Sequence, residues 1–156
     1  MTNRMQSTRE YRFKVRLKHR RSTWRSVVLR GDQTLEDLHD VIFSAFDRYD
    51  EHLYSFYFPS GPDRRTASFK GREYTAPRGF HPLAGFEPNR FSASGATLES
   101  LKFTVGQTFE YLFDFGDEWW HEIAVESIDP SAVGAPYPRI VGQRGPSPLQ
   151  YPESEE

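Results

Sequence analysis

The chain has no cysteine anywhere in its 156 residues. That excludes disulfide bonds, thiolate zinc sites and cysteine nucleophiles. It also lacks any run of eighteen apolar residues, so no membrane-spanning helix is expected. The first ten residues are polar and carry no apolar signal region, and a soluble cytoplasmic protein is the expectation. No phosphate-binding G-x-x-x-x-G-K-[ST] run and no dinucleotide fingerprint occur. The triplet Asp114-Phe115-Gly116 imitates the magnesium-binding element of protein kinases, but the other kinase signatures are missing. Aromatic residues, in contrast, are plentiful: thirteen Phe, eight Tyr and three Trp. They supply enough apolar surface for one domain of this length, which would bury roughly 70% of the area its unfolded chain exposes.

The formal net charge of −2 hides an uneven distribution. Residues 1–30 sum to +9, residues 31–60 to −6, residues 61–96 to +3 and residues 97–156 to −8. A basic arm of this kind could bind nucleic acid. However, Arg12, Lys14, Arg16 and Lys18 alternate with Tyr11, Phe13, Val15 and Leu17. This is the pattern of a half-buried strand whose charged face meets solvent and acids elsewhere in the fold.

Residues 1–9 read as a flexible leader and 10–18 as a first strand. A polar turn follows, and residues 24–29 form the antiparallel partner, with Trp24 in the core and Arg25 paired with acids of the following helix. Thr34-Leu35-Glu36-Asp37 has the form of an N-cap with a carboxylate three residues later. The helix it opens should run to about Arg48, with Leu35, Leu38, Ile42, Ala45, Phe46 and Tyr49 as its apolar stripe and His39 at the stripe's edge. Residues 52–58 read as another strand. From Pro59 to Ala96 no period persists, apart from short strands around Phe69 or Tyr74. Residues 129–156 are rich in Pro and Gly and form an extended tail. The fold class expected is therefore α+β: one domain over residues 10–128, a curved antiparallel sheet with one main helix (about 35–48) on one face.

The stretch 109–122, FEYLFDFGDEWWHE, carries the strongest indication of a site. A loop of two residues at Gly116-Asp117, or of four from Phe115 to Glu118, pairs Asp114 with Trp119 and Leu112 with His121. Asp114 and His121 would then share a face as diagonal neighbours, about 7–8 Å apart by backbone. A loop of odd length would swap the faces. Three chemistries fit: a structural network in which Asp114 accepts from His121, the Trp119 indole or the turn amides; a divalent metal site for Zn, Mn or Fe built on Asp114, Asp117 and His121, with His39 or His52 joining; or an acid–base Asp–His pair. His39 and His52, taken singly, are packing histidines or members of that cleft.

Four segments in order carry a resemblance to a known family. They are Trp24-Arg25, Thr34-Leu35-x-x-Leu38-His39-x-x-Ile42, His52-Leu53-Tyr54-x-Phe56, and the hairpin from Phe109 through Asp114, Asp117 and Trp119 to His121. Together they resemble the plasmid ORF-three-like family, named from an Ri-type plasmid and also linked by name to the TnpR protein of an insertion element. Pro138-Arg139, Gly142 and the prolines to Pro152 resemble that family's tail. Relatives carry tail cysteines that this chain lacks, and the aromatic before the helix exit is replaced around Tyr49-Asp50. The resemblance implies an α+β fold and a connection to mobile elements but no reaction. The function expected is a binding or interaction module with a polar cleft lined by Asp114, Asp117, Trp119, His121, His39 and His52. The alternative is a metal-dependent hydrolase or nuclease using the same cluster.

Overall fold

The computed structural model describes residues 9–59, 71–77 and 89–152. In chain order the strands are β1 (Arg9–Leu17), β2 (Arg20–Arg30), β3 (Tyr54–Phe58), β4 (Arg72–Thr75), β5 (Arg90–Ser92), β6 (Thr108–Phe113), β7 (Trp119–Pro130) and β8 (Arg139–Arg144). One helix, α1 (Leu35–Ala45), lies between β2 and β3. The strands form a single sheet in the order β5-β4-β3-β6-β7-β1-β2-β8. All neighbours are antiparallel except β4 and β5, which run parallel. The architecture is thus α+β with a mixed, largely antiparallel sheet. Of the two short strands suggested in the irregular region, the one at Tyr74 is β4, and Phe69 lies outside the described residues.

The alternation read from the first strand sets the two faces of the sheet. Tyr11, Phe13, Val15 and Leu17 are buried, while Arg12 and Lys18 are exposed and Lys14 and Arg16 half-buried. The basic face meets acids across the sheet: Lys18 pairs with Glu110 and Arg21 with Glu122 at 3.1 Å.

The opposite face is covered by α1. Thr34 accepts from the Asp37 amide, and the Asp37 carboxylate accepts from the Thr34 amide, which closes the expected capping box. The helix sets Leu35, Leu38, Ile42 and the following Phe46 into the core cluster with Phe13, Phe56, Phe109 and Phe113. It ends at Ala45, earlier than the expected Arg48, because Asp47 turns left-handed (φ 57) and breaks the backbone ladder. That reversal also throws Tyr49 out of the expected stripe, to 72% exposure.

Trp24 and Arg25 exchange the roles expected of them. Trp24 lies half-buried on the outer face beneath the Lys14 ammonium, 4.2 Å from the ring centroid. Arg25 points inward, 2% exposed. Its Nε donates to the Ala45 carbonyl at 2.8 Å and its Nη1 to the Arg144 carbonyl at 3.0 Å. The cation therefore caps the carbonyl end of α1, where the helix dipole favours positive charge. Of the acids expected to face it, Asp47 acts on it through charge, while its hydrogen bonds go to carbonyls and to Ser147.

The Pro/Gly-rich tail is structural. Its residues 139–144 form the edge strand β8 on β2, and the chain then returns across the end of α1. Arg48 Nη1 donates to the Pro148 carbonyl at 2.7 Å. The Gln150 carboxamide accepts from the amides of Tyr49 and Asp50 and donates to the Asp50 carbonyl.

Candidate functional site

The β6–β7 hairpin fixes the site, and its loop is five residues long. Phe113 pairs with Trp119, Tyr111 with His121 and Phe109 with Ile123. The odd length reverses the expected faces: His121 and Trp119 stand with Phe109, Tyr111 and Phe113 on the core side, while Leu112 and Trp120 face outward. The reason is local. Asp114 adopts the left-handed conformation (φ 70), as does Glu118 (φ 56). The Asp114 carboxylate accepts from the amides of Gly116 at 3.0 Å and Asp117 at 3.2 Å. This side-chain turn, which Asp favours, starts the reversal two residues earlier than a turn centred on Gly116.

Asp114 and His121 consequently part company. His121 is 2% exposed, and its Nδ1 donates to the Tyr111 carbonyl at 3.3 Å. The edge of its ring meets Phe46. Burial lowers its pKa to about 3, so the ring is neutral. Asp117 lies at the rim of a surface groove instead. Among the described residues, Asp114, Asp117 and His121 do not bring ligand atoms within 4.8 Å of one another, so the expected metal set is not assembled.

Asp114 finds a different histidine. Its Oδ2 lies 3.5 Å from His52 Nε2. The same nitrogen is 2.6 Å from the Tyr151 hydroxyl, which donates onward to Asp50 at 2.7 Å. Bonding to Asp50 raises the Tyr151 phenol to about 12. His52 thus joins the hairpin turn to the returning tail.

His39 anchors a second network. Its Nδ1 lies 2.6 Å from the Tyr111 hydroxyl, and its Nε2 is 3.1 Å from Glu51. Burial holds the Tyr111 phenol well above its ordinary value. Tyr111 therefore keeps its proton and can donate to Nδ1, leaving Nε2–H to donate to the carboxylate. The His39 ring stacks on Tyr54 with centroids 3.8 Å apart. Tyr54 is likewise pushed up, by burial first and then by surrounding acids.

Outside these networks, the hairpin tip borders an open groove of about 570 Å³. Trp119, Trp120, Asp117 and Glu118 come from the hairpin, Glu110 from β6, Lys18 and His19 from the β1–β2 turn, and Gln150 and Pro152 from the tail. Arg48 packs its guanidinium 4.3 Å from the Trp119 ring centroid. Lys18 approaches the Trp120 ring at 5.7 Å. Of the expected cleft residues, Asp117 and Trp119 line this groove, whereas His39 and His52 belong to the two networks beside it. The sequence reading missed Lys18, Glu51 and Tyr151. Glu51 sits in the acidic helix exit next to His52, a visible signal. Tyr151 gave none, because its partner Asp50 is 101 residues away in sequence.

The fold and site define a class: a single-sheet α+β protein whose long hairpin carries a groove walled by residues from both ends of the sequence. The chain belongs to the plasmid pRiA4b ORF-3-like family, whose profile matches residues 9–150. It is 31% identical over 140 residues to an uncharacterized protein, y4hQ, of Sinorhizobium fredii (strain NBRC 101917 / NGR234). The alignment covers 88% of this chain and 63% of that relative, so the chain spans less than two thirds of the relative's length. The fold resembles the crystal structure of MM3350, a protein of unknown function from Methanosarcina mazei Go1, with a TM-score of 0.72 and 23% identity. That match covers 96% of this chain and 79% of the other. No helix among the described residues is long and apolar enough to cross a membrane.

Proposed function

We propose that this protein is a binding module whose recognition surface is the groove beside Trp119 and Trp120. The observation that carries this reading is the groove's volume, about 570 Å³, within the range of small-molecule sites. Its wall combines indole surface with the Lys18–Glu110 pair and the acids Asp117 and Glu118 at the rim. Such a wall suits a ligand with a flat apolar body and a polar or cationic edge. Two of the histidines, His39 and His121, are buried in packing networks, which favours binding over acid–base catalysis by those rings. A nucleic-acid role for residues 1–30 is weakened because Lys18 and Arg21 already face Glu110 and Glu122. An association with mobile elements rests on the family's name alone.

The test is a fragment screen followed by the three indole N–H signals in ¹⁵N NMR spectra. Hits should shift Trp119 and Trp120 while leaving Trp24, outside the groove, in place, and Trp120→Ala should weaken them at least tenfold. Hits that move only Trp24 would overturn the proposal. So would an absence of hits combined with tight, steeply salt-dependent binding of duplex DNA.

A further inference from the structure

Independently of the groove, the structure assigns a divalent-cation site of the zinc or manganese type to His39, Asp40 and Glu51. One ligand atom from each lies within 4.8 Å of the other two. The three come from the middle of α1 and from the segment leading into β3, so the fold, not local sequence, assembles them. Ligands about 2.0–2.2 Å from a tetrahedral zinc ion sit roughly 3.3–3.5 Å from one another. The two Glu51 oxygens lie 3.1 and 3.4 Å from His39 Nε2, already close to that spacing. One imidazole with two carboxylates is a donor set suited to zinc or manganese.

Two further features point to a ligand. Tyr54, 3% exposed, stacks face to face on the His39 ring. Its buried hydroxyl has no hydrogen-bond partner among the described residues, and Glu36, Asp40 and Glu51 are the leading charges acting on it. Water on a cation held by Asp40 and Glu51 would give that hydroxyl a partner. Tyr111 provides the outer support that metal-bound histidines usually have. With the cation on Nε2, the His39 proton moves to Nδ1 and is donated to the Tyr111 oxygen, 2.6 Å away. The ring is already held in place for this by its stacking.

The test uses full-length protein stripped of metal and titrated with zinc chloride and, separately, manganese chloride by calorimetry. One equivalent should bind with micromolar or tighter affinity. Asp40→Asn and Glu51→Gln, both at exposed positions, should each weaken binding at least tenfold, and Asp117→Asn should leave it unchanged. Manganese should broaden the His39 ring signals before those of His121. Failure of both metals to bind would overturn the assignment, as would millimolar affinity, equal binding by the Asp40 and Glu51 variants, or dependence on Asp117. None of these outcomes bears on fragment binding at Trp120.

Discussion

Across the β6–β7 ladder Tyr111 stands opposite His121, and the histidine Nδ1 donates to the tyrosine's own carbonyl at 3.3 Å. The imidazole is therefore a buried, neutral component of the sheet. In the unfolded chain the same ring titrates near its ordinary value of about 6.5, but in the folded protein burial depresses it to about 3. Below the unfolded value the unfolded state binds a proton that the native state refuses. His121 thus has no effect on the pH dependence of stability above about pH 7. As pH falls from about 6.5 toward 3 it costs up to roughly 1.4 kcal/mol per pH unit. Urea unfolding at pH 7, 5.5 and 4.5 should show this decline in the wild type and a flatter one in His121→Gln. Parallel declines would refute the argument.

Arg25 should be among the most sensitive single positions. Its guanidinium ties the last carbonyl of α1 to the edge strand and also reaches the Ser147 hydroxyl at 2.9 Å. Arg25→Met would leave the Ala45 and Arg144 carbonyls without this donor, at a cost of about 2–4 kcal/mol. Arg25→Lys should recover only part of that, since an ammonium cannot span the fork of acceptors. Thermal melts of the two variants rank the effects, and a lysine variant as stable as wild type would contradict the geometry.

Asp114 is held by conformation as much as by charge. Asn tolerates the left-handed backbone and keeps an oxygen for the Gly116 and Asp117 amides. Asp114→Asn should therefore destabilise less than Asp114→Ala, which loses the one oxygen that accepts from both amides and strains the backbone, for a loss of about 1–3 kcal/mol. Equal losses in chemical denaturation would show that the carboxylate's charge, facing His52, is what matters.

The helix, its cap and the alternation of β1 were legible because each is written within a few residues: Thr34 with Asp37, and Phe13 between Arg12 and Lys14. The hairpin's existence was legible too, in its aromatic alternation and its Gly-Asp pair. Its register was not. The position of the reversal depends on the Asp114 backbone flipping left-handed, and a one-residue change moves every side chain to the other face. Trp24 and Arg25 were misplaced for a related reason: hydrophobicity sends the indole inward, but the carbonyl end of α1 sits where only the longer cation can satisfy it. The Tyr151–Asp50 and Gln150–Tyr49 contacts join segments about a hundred positions apart, a distance over which no periodicity speaks.

The returning tail has a consequence for how the groove comes into being. Lys18 borders it from near one end of the sequence and Gln150 and Pro152 from near the other. A chain severed after Gly145 would keep the residues of all eight described strands yet lose the bank of the groove that Gln150 and Pro152 supply. The same short segment thus serves two ends at once, since Ser147, Pro148 and Gln150 also hold the residues beyond the end of α1.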